Sequence, residues 1–264
     1  MAIVEVETLG AICTIRMNRP ERMNALGSEL RTELATAWTA FAESPDLEVA
    51  IFTGTGRAFC AGEDMKEALE RGVPGLDARV KADPFTSGTL DKPVIVAING
   101  FAMGGGFQLV ERCDLRLAVR GAVFEMSEAK RWLLGGYAHG HVAALPQAIA
   151  TEMAFAFRFD AERLYELGFL NRLVSPDELM PEAHAMARHL LTLPPASRAN
   201  TLAMMRAMRP SVSSGLEGFA DQLRNHGAKS DLMESRAAFA EKREPHFKGW
   251  DDPSDRFRRP TYEG

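Results

Sequence analysis

The sequence predicts an α/β fold with sites at the C-terminal ends of its strands, followed by a helical region. Three observations predict it. Short apolar, β-branched runs end repeatedly in glycine-containing turns and then give way to helical periodicity. After about Pro195 the pattern turns helical, with no further strand candidates. With 264 residues and 46% hydrophobic content, the chain is long enough for one large core plus a smaller appendage. The expected division is therefore 1–195 for the α/β core and 196–264 for the helical region.

Ile3 to Thr8 and Ala11 to Met17 alternate well enough to be paired strands, with Leu9-Gly10 as a tight connection. Ser28 is expected to cap a helix running toward Glu43, which collects Leu30, Leu34, Ala37, Trp38 and Phe41 on one face. Val49 to Thr53 reads as a strand and Asp64 to Glu70 as a short helix. The stretch from Arg71 to Asp91, rich in Gly, Pro and Asp, reads as a mobile connection rather than a core element. Pro93 to Ile98 predicts a buried strand, Gly105 to Arg112 the helix after it, and Leu115 to Val119 another strand. Ala199 to Met208 and Leu216 to Lys242 are helical in pattern, and the Met-rich part of the first reads as core or interface filler.

Two turns carry the chemical signal. In Asn99 to Gln108 three consecutive glycines, Gly104, Gly105 and Gly106, sit between strand and helix, where no side chain separates a ligand from the backbone. Unpaired N–H groups at a helix N-terminus suit an anion, particularly one that develops during a reaction. A glycine triplet alone is equally a packing device. The second turn, within Ile51 to Lys66, also closes a short strand and opens a helix. Each of the two can supply one N–H to the same oxyanion.

Together these segments resemble the crotonase (enoyl-CoA hydratase/isomerase) superfamily. Asn18-Arg19-Pro20 with Asn24-Ala25-Leu26 is similar to that family's NRP…NAL element, and Ala61-Gly62-Glu63-Asp64 to its AGxD turn. Asn99-Gly100 through Gly106 resembles the NG…GGG turn, Cys113-Asp114 the CD that follows it, and Glu128-Ala129-Lys130 a PEAK-like element. Gly168 to Asn171 matches GLVN and Phe239 to Arg243 matches FxEKR, so the likeness runs over nearly the whole chain.

The resemblance implies a crotonase-like ββα spiral core that binds acyl-CoA, with a C-terminal helical region that builds trimers, often paired into hexamers. It implies an oxyanion hole from the backbone N–H groups of Glu63 and Gly105. It gives Glu128 the acid/base role; a carboxylate facing an apolar pocket has its pKa raised, which suits that duty. Hydratases of this family use two glutamates, and the first position is here Gln108, which can hold a water but cannot take a proton at neutral pH. Hydration by one glutamate, double-bond isomerisation by Glu128 alone, and a non-catalytic acyl-CoA-binding relative therefore all remain open.

For the coenzyme, the resemblance points to Arg22, Ala25, Ala61, Asp64 and Lys66 near its nucleotide end, and to Phe239 and Lys242, whose counterparts reach the CoA of a neighbouring subunit. Gly136 and His139 fall in the loop that lines the acyl pocket in relatives, and a histidine there is an alternative base. His139 and His141 make no convincing metal site without a third ligand, and no metal is expected. Glu111 reads as structural. No cofactor is expected beyond the CoA carried by the substrate.

A formal charge of −5 argues against nucleic acid as the default partner. No apolar run approaches the ~18 residues of a membrane span, and the N-terminus lacks a basic n-region and cleavage site. Cys13, Cys60 and Cys113 are expected to be buried free thiols in a reducing compartment, which points to the cytoplasm.

Overall fold

A computed structural model describes residues 2–71, 83–131, 134, 136–224, 226–227 and 230–263. In chain order it contains β1 (Val4–Leu9), β2 (Ile12–Met17), α1 (Ser28–Glu43), β3 (Val49–Gly54), β4 (Ala58–Cys60), α2 (Met65–Arg71), β5 (Val94–Ile98), β6 (Phe101–Met103) and α3 (Gly105–Arg112). There follow β7 (Leu115–Val119), β8 (Val123–Glu125), α4 (His139–Val142), α5 (Gln147–Ala154), β9 (Phe159–Asp160), α6 (Ala161–Glu166), β10 (Arg172–Val174) and α7 (Leu179–Leu191). The chain closes with α8 (Pro195–Ala207), α9 (Ser214–Arg224) and α10 (Ser230–Glu241). Two compact units result: residues 1–64, 74–125 and 158–209 form the first, and 65–73, 126–157 and 210–264 the second.

The first unit is built on two sheets. Six strands run in the order β1-β2-β3-β5-β7-β10, with only β1 antiparallel to its neighbour. Four shorter ones run β4-β6-β8-β9. The chain alternates between them: β3 leads to β4, β5 to β6 and β7 to β8, so each of these three strands of the large sheet hands its C-terminal turn to a strand of the small one. This is the α/β architecture the sequence predicts, wound into the spiral that the family resemblance implies. The small sheet is not foreseen, because strands of two or three residues are too short to show a period.

Central strands β3 and β5 are buried along their full length, as expected for parallel strands covered on both faces. Trp38 of α1 meets Phe52 of β3 edge-to-face at 5.2 Å and stacks on Phe85 at 4.3 Å. Phe85 and Leu90 are buried, so these two side chains join the core while residues 86–89 between them stay exposed, contrary to the reading of the whole 71–91 stretch as a loose connection. Asp83 makes this possible by accepting the N–H groups of Phe85 and Thr86, both at 2.9 Å, which closes a compact turn. Residues 72–82 of that stretch lie outside the described residues.

Two local expectations shift. Gly27, not Ser28, is the N-cap of α1, and no side chain caps that end. Leu216 to Lys242 is two helices, because Gly227, at φ +103°, turns the chain between α9 and α10. Helix α8 is fastened to the first unit by Asp114. Its carboxylate accepts Arg206 Nη2 at 2.7 Å, Arg206 Nε at 2.8 Å, Arg209 Nη2 at 2.8 Å and the N–H of Val94 at 2.9 Å. That hub accounts structurally for the aspartate of the Cys113-Asp114 pair.

In the second unit α4 packs on α5, and α10 packs on both α2 and the 3-10 turn Ala129–Arg131. Among the described residues no helix is long and apolar enough to cross a membrane.

Candidate functional site

The loop from Asn18 to Gly27 is organised by Asn24. Its residue is fully buried in the left-handed region at φ +54°, a conformation asparagine tolerates better than most. Its Oδ1 accepts the N–H of Arg19 at 2.8 Å, and its Nδ2 donates to Ala58 O at 2.8 Å and Thr55 O at 3.1 Å. One amide thus ties the loop to the ends of β3 and β4. Arg19 Nη1 then donates to the buried carboxylate of Asp64 at 3.0 Å, with Arg22 Nη1 at 3.8 Å from the same group. Arg22 remains partly exposed, Ala25 is buried, and the N–H of Ala61 donates to Met23 O at 3.0 Å. The structure therefore brings Arg22, Ala25, Ala61 and Asp64 together.

Glu63 pairs with Leu26 in a single parallel bridge. The bridge uses the C=O of Gly62, which accepts Leu26 N at 2.7 Å, and the N–H of Asp64, which donates to Leu26 O at 3.4 Å. The N–H of Glu63 itself points to the other side, by the alternation of extended backbone. The second turn lies directly against this one. A Cβ added to Gly62 would sit 2.7 Å from Met103 O and 3.3 Å from Gly105 N. As the first residue of α3, Gly105 has no intrahelical acceptor for its N–H.

The three glycines answer to three different local demands. Gly104 takes φ +50° and ψ −119°, a conformation in effect reserved for glycine, and its N–H donates to Glu125 O at 2.8 Å. Gly105 has only Leu26 Cδ1 and the Gly62 Cα near its missing side chain. Gly106 is buried against β4, where a Cβ would fall 2.3 Å from Cys60 O. Only Gly105 of the three fits the expectation of backbone bared for a ligand.

Gln108 is half-buried on α3, its N–H donating to Gly104 O at 3.1 Å. Glu111, one turn on, is buried, and it lies near Arg116, whose guanidinium closes the C-terminal end of this helix. Arg116 Nε donates to Val110 O at 3.2 Å, and Nη2 to Glu111 O at 3.0 Å and Cys113 O at 3.2 Å. A cation at this end complements the helix dipole, whose positive end is the Gly105 turn. Burial pulls the Arg116 pKa below its ordinary value.

The other expected site residues belong to the second unit. Glu128 is half-buried, with its Oε2 shielded from solvent. Lys66 is exposed near the start of α2. Gly136 is buried beside Ala154 and Met126, and His139 opens α4. His141 is exposed, with Nε2 at 3.3 Å from Ser211 O. Phe239 and Lys242 line one cleft of about 330 Å3, together with Ser235, Arg243 and Lys130. In the sequence Lys130 is marked only by its charge two residues after Glu128.

Glu125 was also missed. It is a buried carboxylate, opposite Arg158 across β8 and β9, which donates to it at 2.7 Å. The three cysteines are free and buried, as expected. Burial pushes the Cys13 thiol up to about 11 and the Cys60 thiol up to about 12, and both are therefore poor nucleophiles at neutral pH.

The family model of enoyl-CoA hydratase/isomerase matches residues 7–250. The chain is 36% identical to a carnitinyl-CoA dehydratase of Salmonella arizonae over 253 residues, 91% of this chain and 96% of that protein. It is 32% identical to a mevalonyl-coenzyme A hydratase of Aspergillus fumigatus over 248 residues, 90% of this chain and 91% of that one. Among solved structures, a carnitinyl-CoA hydratase from Mycobacterium avium superposes with a TM-score of 0.78 at 28% identity, over 94% of this chain and 99% of that chain.

Proposed function

The chain belongs to the enoyl-CoA hydratase/isomerase family, and from that premise we propose that it acts on an acyl-CoA thioester through an enolate held in an oxyanion hole. The observation that carries the reading is the contact between the Gly62 and Gly105 turns. Two fixed N–H donors, from Glu63 and Gly105, take up the charge that develops on the thioester oxygen. Each such donor contributes about 3 kcal/mol to the transition state. The Arg116 cap at the far end of α3 keeps that helix aligned behind the Gly105 N–H.

Glu128 carries the proton in this reading. Gln108 orients a water or the substrate by hydrogen bonds and carries no proton. Hydration and dehydration are one reaction run in two directions, so relatives named for either fit the same site. The coenzyme end is served by Arg22, Ala25, Ala61, Asp64 and Lys66, and by Phe239 and Lys242. Coenzyme A arrives with the substrate, and no other cofactor is needed for a proton-transfer reaction of this kind. The region 196–264 serves assembly into a homotrimer or a hexamer in the cytoplasm.

A second reading is favoured by one residue. With Gln108 in place of a carboxylate, Glu128 alone can shuttle one proton between two carbons and move a double bond. Hydration of crotonyl-CoA and isomerisation of a 3-enoyl-CoA, measured side by side, separate the two. Glu128→Gln is expected to abolish whichever is present while acyl-CoA still binds. Unchanged turnover in that variant would remove Glu128 from the mechanism, and failure of the wild type to bind any acyl-CoA would end the proposal.

A further inference from the structure

Helix α10 carries its polarity inside out. Its buried residues, among those described, are Asp231, Ser235, Arg236 and Ala238, and only the last is apolar. Met233 and Phe239 on the same helix are half exposed. A helix on a protein surface ordinarily turns its apolar stripe inward, so each inward polar side chain calls for a partner. Two of the three have one within the chain. Asp231 accepts the N–H groups of Lys248 at 2.8 Å and Gly249 at 3.0 Å, which holds down the chain that leaves the helix. The Ser235 hydroxyl donates to Leu232 O at 2.9 Å.

Arg236 differs. It is 2% exposed, and among the described residues its guanidinium makes no hydrogen bond and no ion pair. The other carboxylate in its half of the helix, Glu234, is held by Arg243, whose Nη2 donates to Glu234 Oε2 at 3.0 Å. Burying a charge costs heavily unless something pairs with it, so the enclosed guanidinium lacks an anion that the fold itself does not supply. Its position says where that anion comes from. Helix α10 packs on α2 and on the Ala129–Arg131 turn, and that turn directly follows Glu128.

We propose that Arg236 is a specificity-determining residue, whose guanidinium pairs with a carboxylate at the far end of the acyl group. The substrate is then the CoA thioester of an unsaturated dicarboxylic acid, a class that rests on the acyl-CoA reading above. The planar fork of an arginine matches a carboxylate with two parallel hydrogen bonds. The same burial supplies discrimination, because a methyl group at that end leaves the guanidinium both dehydrated and unpaired.

The test uses saturated thioesters, which have no double bond to hydrate, in pairs where a carboxylate replaces the terminal methyl: pentanoyl-CoA against glutaryl-CoA, and hexanoyl-CoA against adipoyl-CoA. Dissociation constants are measured for the wild type, Arg236→Met and Arg236→Lys. The wild type is expected to prefer the acid of at least one pair by about tenfold or more, the scale of a charge-assisted hydrogen bond. Arg236→Met should lose that preference, and Arg236→Lys, with the charge but not the fork, should keep part of it. Since the ligand-free guanidinium has no partner to lose, Arg236→Met should also raise the melting temperature; a fall counts against the proposal. A wild type without preference for either acid, or an Arg236→Met that keeps it, overturns the proposal. A loss shared equally by all four thioesters assigns Arg236 to the coenzyme and overturns it as well. A wild type that binds none of the four overturns the acyl-CoA reading instead.

Discussion

Replacing Gly106 by alanine isolates the contact that sets the height of α3 over β4. The backbone of Gly106 is not in the left-handed region, so alanine is conformationally acceptable and the cost is steric. The new Cβ would stand 2.3 Å from Cys60 O, 2.8 Å from Cys60 Cβ and 2.9 Å from Cys60 C. The first of these is about 1.1 Å short of the 3.4 Å at which ordinary contact begins, and two of the three atoms are backbone of a buried strand. The helix must therefore lift by about an ångström. Overpacking of this kind costs about 1–3 kcal/mol, partly offset by the better helix propensity of alanine, about 1 kcal/mol. A net loss of up to about 2 kcal/mol is expected in denaturant titration. The Gly105 N–H rides on the same helix, and a displacement of that size at a reacting centre costs about a hundredfold in rate. Gly105→Ala is the stability control, since its Cβ would stand close to the flexible Leu26 Cδ1 at 3.1 Å and at ordinary contact, 3.8 Å, from the Gly62 Cα. It should unfold within about 0.5 kcal/mol of wild type. A Gly106→Ala enzyme as stable and as fast as wild type would refute the argument.

Gln108→Glu should raise crotonyl-CoA hydration if only the missing carboxylate limits it; no gain means the pocket is built for other chemistry. Asp114→Asn should cost about 3 kcal/mol, the lower end for breaking a buried ion pair, because Arg206 and Arg209 are partly exposed and can rehydrate; an unshifted denaturation midpoint counts against the hub. Hydrogen bonds from Arg243 and then from the His246 N–H hold Glu234 down at about 2, against 4.5 for the ordinary carboxyl. Its contribution is complete above pH 4.5 and is lost as pH falls toward 2, so the melting-temperature gap between wild type and Glu234→Gln should close over that window. The raised Cys13 and Cys60 thiols act in the opposite direction: stability is whole below pH 9 and declines as pH rises toward 11 and 12. Replacing both by alanine and serine should blunt that alkaline loss, and an unchanged pH profile would show that the thiols play no part.

The family and the candidate site segments were legible in the residues, because the Gly62 and Gly105 turns and the Glu128 segment are short motifs in which residue type is itself the information. The roles inside those motifs were less so. Asn24 and Asp114 read only as family marks, whereas each is a polar hub whose partners come from distant strands. Glu125 acquires meaning only from Arg158, which approaches it through folding.

The sequence alone determined five of the six strands of the large sheet, all but the three-residue β10, together with the long helix α1 and the helical character of the C-terminal third, since a hydrophobic period is written into neighbouring residues and survives in any context. Tertiary structure decided the four-stranded small sheet, the three separate duties of Gly104, Gly105 and Gly106, the entry of Phe85 and Leu90 into the core, and the meeting of α10 with the turn after Glu128. Each of these depends on how closely two segments far apart in the chain approach. That distance is fixed by side-chain volumes and hydrogen bonds on both sides at once, and no local stretch carries it.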